Sequence, residues 1–276
     1  MPVSANTLFH FTDHLDHIVN ILEKNFRPNF VLEHLGFLDG LEKDPYRRFY
    51  IPMVCFCDLP LSQVANHLKT YGGDGVGKGK YGIGMKKEWG KRKGVSPLLY
   101  TYTNARTWNA IRTAIIVLRQ FNQGTIIEDP DQRSQSQDDL GDDEVISAAH
   151  EILFSHVKPY EGEFEHRGSI CQHYRFYDER EWRYVPNASD IGGGLIIKHT
   201  EDNRDKEKIS RIAKNVSENY PLEFAPNDIK YIIVDNENEI VPMIEKIGII
   251  KREYSEKERM LLSSRVISAD QIKDDF

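Results

Sequence analysis

The 276-residue chain is 39% hydrophobic, 29% charged and 11% aromatic, which supplies enough apolar side chains for a packed core and excludes a disordered protein. A formal net charge of -7 excludes a global electrostatic grip on nucleic acid or anionic membrane, although not a local basic patch. Cys55, Cys57 and Cys171 fit a reducing cytosol, Met1-Pro2-Val3-Ser4-Ala5-Asn6 lacks a basic-then-apolar leader, and no apolar run reaches spanning length, so the expected location is cytoplasmic.

Thr7-Leu8-Phe9-His10-Phe11 predicts a first strand, followed by Thr12 or Asp13 as the N-cap of a helix carrying Leu15, Ile18, Val19 and Leu22. Asn25 is placed to end that helix in a left-handed conformation. Residues 27–50 read as irregular. Ile51 to Asp58 predicts a second strand, and Leu59-Pro60-Leu61-Ser62 turns into a helix with Val64, Ala65 and Leu68. The glycine-rich stretch 71–80 has no Gly-Lys-Ser/Thr and no Rossmann strand-turn-helix, so it is expected to be a mobile flap before a strand at 81–85. A helix over about 105–120 carries Trp108, Ile111, Ile115 and Leu118 on one face. The acid-rich stretch at about 122–143 reads as a solvated, flexible insertion, with a helix from about 143 to 156 after it. Strands at 194–198 and 229–234 and helices at about 204–216 and 237–247 follow. Ser255 with Glu258 forms a capping box. Strands and helices alternate without βαβ regularity, so the class is α+β in a single domain spanning 1–276.

The most chemically loaded stretch is Phe176-Tyr177-Asp178-Glu179-Arg180-Glu181-Trp182-Arg183-Tyr184-Val185-Pro186, which reads as a strand closed by a proline. Alternation would put Glu179, Glu181 and Arg183 on one face, roughly 7 Å apart along it. Two carboxylates at that spacing suit work on one substrate, and an edge strand with charges facing water is the competing reading.

Three segments now stand in order: Leu8-Phe9-His10-Phe11-Thr12, Val54-Cys55-Phe56-Cys57-Asp58 with a helix beginning near Ser62, and Glu179-Arg180-Glu181-Trp182-Arg183. The order resembles the ADP-ribosyltransferase fold, a split sheet core with flanking helices. His10-Phe11-Thr12, Cys55-Phe56-Cys57-Asp58-Leu59-Pro60-Leu61-Ser62, Tyr81-Gly82-Ile83-Gly84, the Glu179–Arg183 segment and Arg265-Val266-Ile267-Ser268 resemble the AbiGi family of abortive-infection proteins. The resemblance implies an NAD-dependent transferase toxin of an antiphage system, held by a cognate antitoxin and a chaperone, that passes ADP-ribose to RNA or protein. It also implies the roles. Glu181 would stabilise the oxocarbenium-like transition state and Glu179 would activate the acceptor. His10 and Thr12 would hold the cofactor, Ser62 would support Glu181 or the amide, and Phe56, His67 or Tyr71 would stack on nicotinamide. The second segment departs from the transferase pattern, with Cys55 or Phe56 where a tyrosine is usual.

Two alternatives use the same residues. One is a non-catalytic AbiGi-type antitoxin or adaptor that keeps the fold. The other is a metal-dependent nuclease built on Glu179 and Glu181, although His10, His14, His17, Cys55 and Cys57 lack the spacing of zinc sites and no metal is expected. Lys78, Lys80, Lys86, Lys87, Lys91, Arg92 and Lys93, with Tyr81, Trp89 and Tyr100 nearby, form a candidate RNA contact whose competing reading is a solvated face.

Overall fold

The computed structural model describes residues 5–275 apart from 35–47, 73–79, 103–104, 122–125, 128–148, 150, 167–168, 187–195 and 199–202. Strand β1 (Thr7–Thr12) leads into α1 (Leu15–Lys24), then β2 (Asn29–His34) and the ten-residue β3 (Arg48–Cys57). Helix α2 (Leu61–Gly72), β4 (Tyr81–Lys86) and α3 (Lys87–Arg92) follow. Next come β5 (Ser96–Pro97), β6 (Leu99–Thr101), α4 (Arg106–Phe121) and β7 (Ile126–Ile127). A helix over 151–156, α5, runs into β8 (Val157–Pro159), then β9 (Gly162–His166) and β10 (Ser169–Tyr174). The chain continues through β11 (Glu181–Tyr184), β12 (Ile196–Lys198), α6 (Asn203–Asn219) and β13 (Ile229–Val234). It closes with α7 (Ile240–Ile250), α8 (Glu256–Ser263), β14 (Val266–Ser268) and α9 (Ala269–Asp275).

The main sheet runs β14-β13-β4-β1-β3-β11-β5, with β2 and β12 pairing the first half of β3 and β7 pairing β12. It is mixed: β13 with β14 and β12 with β7 are parallel, while β1, β3, β4 and β11 pair antiparallel. The class is therefore mixed α and β. Residues 27–50, expected to be irregular, contribute β2 and the start of β3, because the two strands pair from Asn29↔Met53 to His34↔Arg48. Pairing, which composition alone does not display, supplies that order. The helix expected over 237–247 begins as a 3-10 turn, Glu237–Glu239, before α7. Of the acid-rich stretch only the short β7 falls among the described residues, and the flap at 71–80 lies mostly outside them.

Local chemistry explains the ends. Asn25 closes α1 at a φ of 66°, and its side-chain carbonyl accepts the Phe224 amide at 3.3 Å. The cap of α1 is His14 rather than Thr12 or Asp13, with no side-chain cap bond, because the Thr12 hydroxyl instead meets His17 Nδ1 at 2.7 Å. Ser255 and Glu258 form the expected capping box of α8. Gly84 is sterically required, since a Cβ there would lie 2.8 Å from the Phe9 ring.

Register fixes the two faces of the sheet. Cys57 of β3 stands directly opposite both Phe9 of β1 and Glu181 of β11, and directly opposed residues share a face. One face buries Leu8, Val54, Phe56, Ile83 and Met85 against Ile18 and Leu22 of α1, Trp89 of α3 and Met243 and Ile247 of α7. The other buries Phe9 and Ile233 against Val64, Ala65 and Leu68 of α2 and Ile272 of α9. Further along β3, Phe49, Ile51 and Met53 pack with Trp108, Ile115, Phe154 and Val157.

Phe56 sits at the centre of the first face, fully buried and edge-on to Phe26, Trp89 and His10. Phe56→Ala should lower the unfolding free energy by about 3–5 kcal/mol, read from the urea midpoint. A loss under about 1 kcal/mol would show that the ring is not part of the core.

Candidate functional site

The stretch around Glu181 is not one continuous strand. Phe176–Glu179 forms a 3-10 turn, Arg180 takes the left-handed conformation at a φ of 45°, and only Glu181–Tyr184 joins the sheet. A non-glycine residue there costs about 1 kcal/mol or more, and it breaks the alternation that would have set Glu179 beside Glu181. The two carboxylates nonetheless converge. Lys158, from β8, donates to Glu179 Oε2 at 2.8 Å and to Glu181 Oε2 at 3.0 Å.

Glu181 is held further by Arg183, two residues along the same strand face. Arg183 Nε donates to Glu181 Oε1 at 2.6 Å and Nη2 to Oε2 at 3.1 Å, a two-pronged pairing in which the guanidinium is 1% exposed. The remaining donors reach Glu33 Oε1 of β2 at 3.0 Å and the Ser155 carbonyl at 2.8 Å. Tyr174 donates its hydroxyl to Glu179 Oε1 at 2.9 Å, and the Glu181 amide donates to the Tyr100 hydroxyl at 3.0 Å. Two cations thus meet three carboxylates in a nearly closed network.

The charges divide unequally. Burial pushes the Glu181 carboxyl up, but Arg183 and Lys158 outweigh it and hold its pKa well below the usual carboxylate range. Glu179 goes the other way, raised by burial and by the Glu181 charge against the pull of Lys158. Burial also pushes the Cys57 thiol up, with Glu181 and Glu179 adding to it, so this thiol stays protonated and is a poor nucleophile.

The other expected site residues scatter. His10 lies on the sheet face opposite Glu181, beside Phe26 and Phe56, with Nδ1 2.9 Å from the Cys55 carbonyl. Burial lowers its pKa. Thr12 shares that face and bonds His17. His67 of α2 lies with Phe11 on the Glu181 side, its pKa pushed down to about 4 by burial. Ser62 is half-buried in the first turn of α2, whose Tyr71 has a side chain outside the described residues. The expected grouping of His10, Thr12 and Phe56 around Glu181 is therefore not what the sheet builds, because the register sets the two groups on opposite faces. Sequence reasoning missed Lys158 and Glu33, which come from distant segments with no motif around them, and Tyr174, five residues before Glu179; it gave Tyr100 only to the basic stretch.

The basic stretch is largely neutralised within the fold. Lys80 pairs with Asp235 at 3.3 Å, Arg92 with Asp228 at 2.9 Å and Lys93 with Glu223 at 4.0 Å, while Lys86 donates to Asn227 at 3.0 Å. Lys87 is buried against Asp58 at 2.7 Å and over the Trp182 ring. Trp89 is a core residue whose indole donates to the Glu223 carbonyl, and the Tyr81 hydroxyl donates to Glu239. Lys91 is exposed, and Lys78 lies outside the described residues.

Residues 25–235 match the family described as "Putative abortive phage resistance protein AbiGi, antitoxin", and the chain belongs to that family. It is 29% identical over 266 residues to the abortive phage resistance protein AbiGi of Lactococcus lactis subsp. cremoris, covering 91% of this chain and 99% of that protein. No solved structure matches it. The family description corrects the expectation of an NAD-dependent transferase toxin, since the matched family is an antitoxin. The mixed sheet agrees with an α+β chain, and no helix among the described residues is long and apolar enough to cross a membrane.

Glu181→Gln should cost about 3 kcal/mol at pH 7, because it leaves Arg183 and Lys158 buried against a neutral amide. Folding holds the Glu181 pKa below its unfolded value, so this contribution is present above the ordinary carboxylate pKa of about 4.3 and is lost as the pH falls through and below it. The gap between wild type and variant in urea unfolding should narrow below about pH 4. Glu179, with its pKa raised, contributes stability at low pH that is lost as the pH rises, so Glu179→Gln should cost less at pH 7. Equal costs for the two variants would contradict this division of charge.

Proposed function

We propose that the chain is the non-catalytic antitoxin-side component of an abortive-infection system, acting by binding a toxic partner rather than by turning over a substrate. One observation carries the reading: the sheet register directs His10 and Glu181 to opposite faces, which does not support their acting together on one substrate. The family's description as an antitoxin supports the same conclusion. Glu181 is held by Arg183 and Lys158, so its charge is already matched by cations of the protein. The same ammonium lies between the two carboxylates in the place a divalent ion would take, which disfavours the nuclease reading.

The fold is accounted for in the same terms. The strands bearing the three ordered segments, β1, β3 and β11, are neighbours in the sheet. We read this as an ADP-ribosyltransferase-like frame kept for its shape, with Glu181 tied into the charge network. NAD and RNA have no part in the proposed activity, and the partner is a cognate toxin.

Expression of the chain alone should leave bacterial growth unchanged. Co-expression should restore growth to cells arrested by the product of the gene beside its own. Arrest by the chain alone, relieved by Glu181→Gln, would contradict the proposal.

A further inference from the structure

The network around Glu181 does not balance. Arg183 and Lys158 supply two positive charges, and Glu33, Glu179 and Glu181 supply three negative ones when all are ionised. None of the five side chains is more than 16% exposed, so water does little to offset the surplus negative charge. A single proton on one carboxyl makes the cluster neutral.

The contacts select Glu179 for that proton. Glu181 accepts from Arg183 Nε, from Arg183 Nη2 and from Lys158, and Glu33 meets the permanently charged guanidinium. Glu179 has a share of one ammonium, since Lys158 donates to it at 2.8 Å and to Glu181 at 3.0 Å. Its other oxygen meets the neutral hydroxyl of Tyr174 at 2.9 Å. Tyr100 of β6 and Cys57 of β3 also face Glu179, and burial keeps both neutral by raising their pKa. His156, beside Arg183, is kept neutral in the opposite way, its pKa lowered by burial and by the guanidinium.

Glu179 also ends the Phe176–Glu179 turn, and the next residue, Arg180, holds the left-handed conformation that disfavours a side chain. Both ends of this segment are fixed. Phe176 is buried against Phe164 and Tyr174, and the Arg180 carbonyl accepts the Asp58 amide at 3.0 Å. Between them the turn is joined to the body by the Tyr177 amide on the Tyr160 carbonyl, by the Tyr177 ring stacked on Tyr160, and by the Glu179 side chain. Of these ties, the one made by Glu179 depends on charge.

We propose that the Phe176–Glu179 turn is a proton-operated latch, closed on Lys158 and Tyr174 when the Glu179 carboxyl carries a proton and released when it ionises. The protonated carboxyl keeps both contacts: one oxygen accepts from Lys158, and the other donates its proton to the Tyr174 oxygen once that hydroxyl turns. The ionised carboxyl is the third negative charge on two cations, and swinging outward places it in water and frees Arg180 from its left-handed conformation. Burial and the Glu181 charge raise the Glu179 pKa in the closed state. Closure is therefore strongest below the ordinary carboxylate pKa of about 4.3, weakens about tenfold per pH unit above it, and levels off once the closed-state pKa is passed. Tyr177 leaves Tyr160 as the turn opens, so pH sets the surface presented at the entry to β11. The latch requires no partner and stands apart from the antitoxin reading.

The test is amide hydrogen exchange on the full chain from about pH 4.5 to about pH 8, read as protection factors. The reporters are the Asp178 and Arg180 amides, which donate to the Arg175 and Tyr177 carbonyls. In the wild type their protection should lie below that of the β13 amides, fall about tenfold per pH unit over the lower part of the range, and then level off. In Glu179→Gln, neutral at every pH, it should stay high and flat. Protection that does not change with pH in the wild type, or that falls equally in the variant, would overturn the latch. So would protection equal to that of β13, which would show that the turn opens only with the whole fold. Carbon-13 NMR of the wild-type Glu179 carboxyl needs no variant: a midpoint above about 4.3 is expected, and one at or below it would also overturn the latch.

Discussion

The buried guanidinium of Arg183 is the constraint from which much of the chain's architecture follows. A cation that is 1% exposed must have every donor met and its charge matched, or it costs several kcal/mol. Its partners come from three places far apart in sequence: Glu181 on its own strand, Glu33 on β2, and the Ser155 carbonyl at the end of α5. Lys158 extends the network to Glu179 and so to the turn that precedes β11. Satisfying one residue thus ties together the flanks of β3, the start of β8 and the irregular entry to β11. Replacing the cluster by well-packed apolar residues could match its stability, so its value lies in fixing one arrangement of these segments.

The same network decides what the carboxylates can do. A carboxylate that serves in glycosyl transfer must face the sugar and gain interactions as positive charge develops there. Glu181 has its strongest interactions already made, with cations of the protein, and its low pKa reflects that. His10 is separated from it by the thickness of the sheet, held by the Cys55 carbonyl and by aromatic packing. Both residues are thus tied into the structure of this AbiGi-family chain.

Much of the fold was legible in the sequence because local signals agreed. β1, α1, the second half of β3, α2, β4, α4, β13 and the α8 capping box all follow from period, caps and turn residues. What was not legible depended on pairing. The order of β2 comes from β3, the parity that separates His10 from Glu181 comes from the Phe9↔Cys57 and Glu181↔Cys57 registers, and neither is written in either strand alone. The break at Arg180 was hidden because arginine gives no warning of a positive φ, whereas glycine or asparagine would have. Lys80, Lys93 and Arg92 looked like a basic patch because their acidic partners, Asp235, Glu223 and Asp228, lie more than a hundred residues further on. Glu179 and Glu181 were visible as a pair, and the Lys158 that joins them was not.

The most direct test of the central claim, that Glu181 is a structural charge rather than a reacting group, is nicotinamide release from NAD by the purified chain, measured beside its Glu181→Gln variant. The account predicts no release above buffer from either protein, with the variant distinguished only by its lower stability. Release by the wild type that disappears in a still-folded variant would contradict it.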